Sequence, residues 1–397
     1  MEQSPARPAD HGNIDWQLLA PLLVHVVFVH VVVGIVRVTT SYRTVELGLP
    51  VASLGVISAG FAILPIFLAL KIGRFIDRGN DSQAAWIGTA LILLACAGLW
   101  AWPLSAMHLF LFTVVLGTGH MCCMAAHQML AVRSATLRGR DAAFGHFMVA
   151  ISFGQGLGPF LVGWVGGSST VPPTGPLFAI GLIAALLCMA VALTLRPAAR
   201  GARRAEAGKL IPLGALVRLP GMVAFLTASV VTVTALDLLV IYLPLLGAER
   251  GIDANHIGLL LMARSAAALV GRAFYARLIY AVGRKPLTLW TTFLAAGAFV
   301  LLAVPSLPVM YLAVVTVGIG LGIASTLAFS AVVDIAPDEA RGTAMTLRIT
   351  GNRIGLVFVP VLAGLIAAAT GVAGILLITA LTLATSAVAM QRSRRGP

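Results

Sequence analysis

Five arginines and one aspartate stand inside stretches that otherwise read as hydrocarbon: Arg37, Arg264, Arg272, Arg348, Arg353 and Asp237, with His25, His30, His120, His127 and His146 as titratable company. Ionisable side chains are costly in lipid, so each is a functional-site candidate. A guanidinium offers planar paired donors that match a carboxylate or phosphate, and an imidazole changes charge near neutral pH. The chemistry open to this set is recognition of an anion and movement of a proton. A cation exporter would be expected to place an unpaired acid in its path, whereas here one deep carboxylate faces five guanidinium groups. No paired acid and base, nucleophile motif or metal-ligand spacing accompanies them, so the set points to neither an enzyme nor a metal or cofactor site. No Walker-type ATP loop is present, which favours a secondary mechanism.

The elements that must carry these residues follow from composition. Of 397 residues, 59% are hydrophobic and only 10% charged, with mean hydropathy +0.99, against about 25% charged in soluble domains. Apolar runs near the length that spans about 30 Å of hydrocarbon occur at 17–38, 51–71, 84–104, 107–131, 142–166 and 175–195, and again at 221–246, 256–279, 287–304, 308–332, 342–366 and 370–390. The fold class expected is therefore an all-α membrane protein of twelve transmembrane helices. A tail (1–16) precedes a first six-helix bundle (17–195). A basic linker (196–220) leads to a second bundle (221–391) and a short tail (392–397).

Charge sets the orientation, because short loops rich in Lys and Arg stay in the cytoplasm. With both termini inside, only Arg43 and Arg250 fall in outer loops. The net charge of +13 then reads mainly as topology. A nucleic-acid role is disfavoured, since the basic residues are scattered over inner loops without aromatic platforms. Cys96, Cys122, Cys123 and Cys188 fall in the spans and suit neither a zinc site nor a disulfide framework. The polar N-terminus carries no cleavable signal, so the first span is expected to be retained. The expected location is a plasma membrane, that of a bacterium, with the lipid bilayer as partner and the monomer as the working unit.

An internal repeat organises the chain. A shift of 203 pairs Glu46 with Glu249, Gly48 with Gly251 and Gly55 with Gly258; a shift of 197 pairs Asp141 with Asp338, Gly145 with Gly342, Met148 with Met345, Gly154 with Gly351 and Gly158 with Gly355. Six spans per repeat return the chain to the same side. The halves are thus parallel, related by an axis along the membrane normal, an arrangement that suits a carrier with its site between two rocking bundles.

At this point the chain resembles the major facilitator superfamily over nearly its whole length. The loop after the second span, GRFIDRGND, has Gly73, Asp77, Arg78 and Gly79 matching most of the signature G-x-x-x-D-R-x-G-R, with the trailing Gly-Arg missing. Its counterpart, ARLIYAVGRKP, keeps Gly283, Arg284 and Lys285 but has Tyr280 at the aspartate position. The resemblance implies that this loop latches the halves, giving Asp77 and Arg78 a conformational role, with Gly73 allowing helices to approach. A solvated positive-inside turn is the plainer alternative. In the fifth span, GQGLGPFLVG resembles the exporters' antiporter signature through Gly154, Gly158, Pro159 and Gly163, with Val162 replacing one glycine. Small residues four apart favour close packing, and a proline bends the helix. That similarity points to the drug or metabolite:proton antiporter branch and to efflux. In the fourth span Thr113 stands where many proton-coupled exporters carry an arginine.

Depth and helical face sort the candidates. Arg37 and Asp237 lie at similar depth in spans one and seven, which face each other in this family; they are expected to pair at the outer gate, the alternative being that Arg37 snorkels outward. His120 and His127 lie seven residues apart on nearly one face, either as a proton relay with Asp237 as a further candidate, or simply bonded to neighbouring carbonyls and hydroxyls. Arg264 is too deep for comfortable exposure to lipid, while Arg272 is expected to snorkel or touch the motif loop. Arg353 lies about 18 Å from the inner end, at about 1.5 Å per residue, and points about 140° away from Arg348. Arg353 is the expected substrate anchor, with Asn352 and Gln155 as facing amides and Arg264, His30 and His120 as further contacts; Arg348 is a weaker candidate, the alternative being that it reaches only for the cytoplasm. The function expected is secondary transport of a small organic solute, anionic or zwitterionic, by proton-driven efflux. The alternative is uptake of an organic anion by proton symport.

Overall fold

The computed structural model describes residues 14–136, 139–196, 213–337 and 341–392. Most of the basic linker, both tails beyond these limits and the repeat residue Asp338 lie outside the described residues.

The chain folds into helices α1 (Trp16–Glu46), α2 (Val51–Asp77), α3 (Asp81–Ala101), α4 (Ala106–Arg133), α5 (Arg140–Gly166) and α6 (Thr174–Ala192), then a short α7 (Leu213–Val217). There follow α8 (Met222–Arg250), α9 (Ala254–Val282), α10 (Arg284–Leu302), α11 (Leu307–Ile335) and α12 (Arg341–Arg392). Among the described residues ten helices are long and apolar enough to cross a membrane, and Pro286–Leu302 is a shorter apolar helix. Each of the twelve apolar runs lies on this helical framework, because the last two are arms of α12. The arms part at Gly371, whose φ of 70° and ψ of 178° only glycine adopts readily. The region expected as plain linker carries one turn of structure, α7. Asp15, Ser105 and Asp253 cap α1, α4 and α9 by accepting from the backbone N–H of Gln17, His108 and His256, satisfying donors that a helix start leaves free.

Apolar side chains such as Phe67, Trp164 and Leu365 remain outward and exposed, as a surface bathed in lipid permits. Inside, α1 packs on α5 and α6, and α4 on α2 and α3; α8 packs on α11 and α12, and α9 on α11. The halves meet through α1 with α8, α2 with α12, and α5 with α9. In the repeat α1 and α8 are mates, α2 is the mate of α9, and α5 is the mate of the first arm of α12. Helix contacts between the halves therefore obey the same two-fold relation as the sequence.

The end bearing Trp16 and the α2–α3 and α4–α5 connections is the tail face; the opposite end is the far face. Toward the far face the halves are sealed. A Cβ on Gly55 would lie 2.2 Å from the Pro360 carbonyl oxygen, and one on Gly163 2.7 Å from that of Ala254. The N–H groups of Ala254 and Asn255 donate across the seam to the carbonyls of Ser169 and Gly167, at 2.8 and 3.1 Å. At the tail face, Asp77 and Arg78 are exposed and make no hydrogen bond or ion pair with described residues. A Cβ on Gly73 or Gly145 would meet nothing within 4 Å. Gly73 therefore allows no close helix approach here, contrary to the sequence expectation, because the tail-face ends of the halves stand apart.

One motif departure has a structural reason. Asp81, at the position where the signature ends in arginine, is fully buried and ion-paired with Arg133 of α4. Its repeat mate Arg284 pairs with Asp334 of α11. The same inter-helix link is kept in both halves with its charges exchanged.

Candidate substrate and coupling site

Arg37 on α1 and Asp237 on α8 form a two-pronged ion pair across the seam. Nη1 faces Oδ1 and Nη2 donates to Oδ2 at 2.9 Å, and the side chains are only 12% and 10% exposed. The Arg37 guanidinium also lies 4.7 Å over the Phe61 ring of α2. The pair expected at similar depth is present, and Arg37 does not snorkel. Beneath the far-face seal it joins the repeat mates α1 and α8 near the symmetry axis.

Arg353 is placed by the packing of α12 on α2. Seven residues after it, on nearly the same stripe, Pro360 meets Gly55 and accepts from the Tyr242 hydroxyl at 3.3 Å. Arg353 thus points along the α2 seam, below the seal. It lies within electrostatic reach of Asp237, Arg37 and His120, yet makes no hydrogen bond or ion pair with described residues. Beside it, Oδ1 of Asn352 is buried without a partner, as is Nδ1 of His120. The His120 ring stands 5.5 Å from that of His30 and 5.2 Å from that of Phe61. Arg353, without a bonded partner, and His120, with its Nδ1 unpaired, therefore stand in one region. His30 itself is buried, its Nδ1 held by the Val26 carbonyl at 2.8 Å.

The other arginines find hydroxyls. Arg264 is 5% exposed; its Nη2 donates to Ser265 Oγ at 2.8 Å, and its Nε has no partner. Arg272, expected to snorkel or touch the motif loop, instead donates to Ser152 of α5 at 2.8 Å, across the seam. Arg348 turns inward too, donating to Ser229 of α8 at 3.1 Å and lying 5.1 Å over the Phe329 ring. Both guanidinium groups thus reach a serine hydroxyl on a facing helix. Such partners stand 119 and 120 residues away in sequence, and nothing local to either serine announces the contact.

The antiporter-like stretch acts as a seam. Added Cβ atoms on Gly154 and Gly158 would lie 2.6 and 2.5 Å from the Val27 and Val31 carbonyls of α1, while Gly156 faces Ser265 of α9. Gly258 of α9 rests on the Pro159 carbonyl, and Pro159 packs on Gly34. Gln155 projects between the directions of α1 and α9 and is exposed. It makes no hydrogen bond with described residues.

The histidines are split. His127, expected to share a relay face with His120, bonds instead to His25: His25 Nδ1 lies 2.7 Å from His127 Nε2, and His25 Nε2 lies 2.9 Å from Thr89 Oγ1. His25 stood in the sequence as titratable company, and its alignment with His127 required three helices to converge. Among the described residues no three His, Cys, Asp or Glu side chains gather as a metal site.

Known proteins place this geometry. A solved point variant of the nucleoside transporter NupG has a TM-score of 0.79 with 15% identity, covering 95% of this chain and 99% of that one. A bacterial homolog of the human lysosomal transporter Spinster, in an inward-facing and occupied conformation, has a TM-score of 0.73 with 15% identity, covering 95% and 96%. Its unoccupied inward-facing form has a TM-score of 0.75 with 14% identity and the same coverage. At such identities the likeness concerns fold. No curated protein matches the sequence. The model of the Major Facilitator Superfamily matches residues 22–253 and again 225–396, repeating across the two halves that the helices build, and the chain accordingly belongs to the major facilitator superfamily, as a multi-pass membrane transporter and not an enzyme.

Proposed function

We propose that this transporter exports a small organic anion or zwitterion from the cytoplasm by alternating access, driven by protons, in the manner of the drug or metabolite:proton antiporters. The observation that carries the reading is the set of arginines without counter-ions. Asp237 is taken up by Arg37, which leaves Arg353 and the deeply buried Arg264 with no carboxylate. A guanidinium does not deprotonate in proteins, so a charge held there calls for an anion from outside. Paired donors of Arg353 fit a carboxylate or phosphate. The unpartnered acceptors Asn352 Oδ1 and His120 Nδ1 suit an N–H or O–H on the same solute, which favours a zwitterion or hydroxy acid.

The excess of basic loops at the tail face puts that face in the cytoplasm, on the positive-inside rule, with the 17–195 and 221–391 bundles rocking about the linker. The state described is then inward-facing. Arg37 and Asp237 hold the outer gate; a solute anion near Arg353 competes with Asp237 for guanidinium donors and loosens that gate as it binds. Comparing metabolites retained by bacterial cells with and without the protein identifies the solute. Everted and right-side-out vesicles given it from outside then tell the direction: proton-driven export predicts accumulation in everted vesicles whose interior is acid. Proton-coupled accumulation in right-side-out vesicles would instead support the symport reading, which the arginine excess also accommodates.

A further inference from the structure

We propose that His25 and His127 together form a single-proton site walled into the N-terminal half, and that this pair carries the coupling proton. The inference rests on the proton-coupled reading above and adds where the proton sits and how many there are.

We assign the ring protons with the Thr89 hydroxyl hydrogen on the Ala85 carbonyl, 2.8 Å away; toward His25 its oxygen then accepts, and His25 Nε2 carries a hydrogen. In a neutral ring the other nitrogen is then a bare acceptor. His25 Nδ1 therefore accepts from His127 Nε2–H at 2.7 Å. One lone pair remains, on His127 Nδ1, which is buried with no partner. That nitrogen is the one bare base of the pair, so a proton can add there without breaking either hydrogen bond. Bound there, it makes His127 an imidazolium whose Nε2–H bond to His25 becomes charge-assisted, and so stronger. That hydrogen can pass to His25 Nδ1, leaving His127 neutral with its hydrogen on Nδ1, and no other bond changes.

A second proton is excluded by like charge, since the ring centroids are 4.9 Å apart. Among the described residues no free carboxylate stands beside the pair. Around the pair stand His30 on α1, His120 and Cys123 on α4, Thr89 on α3 and Phe147 of α5. Asp81 of α3 is already paired with Arg133 of α4, and His146 of α5 turns away onto Trp16. Both rings are 0% exposed, so the site is occluded in this state, and a proton enters or leaves only as α1, α3 and α4 shift.

The test uses the full chain in phosphatidylcholine and phosphatidylglycerol nanodiscs, with histidine rings labelled with ¹⁵N and signals assigned by His25→Asn and His127→Gln. Long-range ¹H–¹⁵N spectra should show both rings as Nε2–H tautomers at high pH. On acidification they should move together with one midpoint and take up one proton in total. In His127→Gln, which keeps an N–H donor but lacks the Nδ1 base, the shared step should vanish. Independent titration of the two rings, or no change between pH 4 and 9, overturns the proposal. Pyranine trapped in proteoliposomes reads proton exit when a small-metabolite extract is applied outside, as exchange of solute for proton requires. Solute-driven proton exit that persists unchanged in His127→Gln overturns the site while leaving the carrier intact. No solute-driven proton movement in the unaltered protein, with the pair still titrating as one, leaves the site standing and removes the proton-coupled reading.

Discussion

The two halves share a helical plan but not a polar interior. In the N-terminal half, apart from Arg37, the Asp81–Arg133 pair and the cysteines, the buried titratable groups are histidines, bonded to one another, to Thr89 or to a carbonyl. In the C-terminal half they are arginines, leaning on the hydroxyls of Ser265, Ser152 and Ser229 or on nothing. A neutral imidazole can be buried at modest cost, because its tautomer adapts to whatever donor or acceptor is present. A guanidinium stays charged, so its desolvation has to be offset by an anion. On the function proposed above, the contrast would divide the work between the halves: proton handling on one side, anion recognition on the other, with Arg37 and Asp237 joining them.

The largest effect should come from breaking that junction. Asp237→Arg should abolish transport, and adding Arg37→Asp should restore a measurable part of it in a vesicle flux assay. No recovery at all in the exchanged protein would remove the pair from the gate. Next comes anion recognition. Arg353→Gln should weaken solute binding by about 100-fold in isothermal titration, since charge-assisted bonds contribute roughly 1.5–3 kcal/mol each, while Asn352→Ala should cost about 10-fold. Equal losses would mean that charge does not dominate this site.

Smaller effects test whether the repeat mates are equivalent. Asp81→Asn should lower stability by about 3 kcal/mol in detergent unfolding, because it leaves the Arg133 cation uncompensated against a buried site. Asp334→Asn should cost about 1 kcal/mol or less, as that pair is 39% and 50% exposed. Smallest of all, Gly73→Ala should leave stability within about 0.5 kcal/mol, whereas Gly158→Ala should destabilise strongly, its Cβ falling 2.5 Å from the Val31 carbonyl. Similar losses for both glycines would mean that the tail-face ends are closed in solution.

Much of this was legible in the chain. Spans, repeat and glycine signatures are local or periodic signals, and the depth of Arg37 and Asp237 can be read by counting residues. Serine partners for Arg272 and Arg348 were not legible, nor was the bond between His25 and His127. Each depends on the rotation of one helix against another, which side-chain packing decides and which hydrophobic periodicity, nearly uniform around a helix buried on most sides, leaves open. Asp81 looked like a defect in a motif until α4 supplied Arg133.

By itself, then, the sequence determined that this is a two-fold repeated membrane helix bundle with too many arginines for its one deep carboxylate, because hydropathy and charge belong to composition and spacing. Only the tertiary structure decided which arginine that carboxylate satisfies, which lean on hydroxyls or on no described partner, and which histidines share a hydrogen bond. Those outcomes turn on contacts of about 3 Å between residues a hundred or more positions apart, and a contact of that reach is set by how whole helices pack.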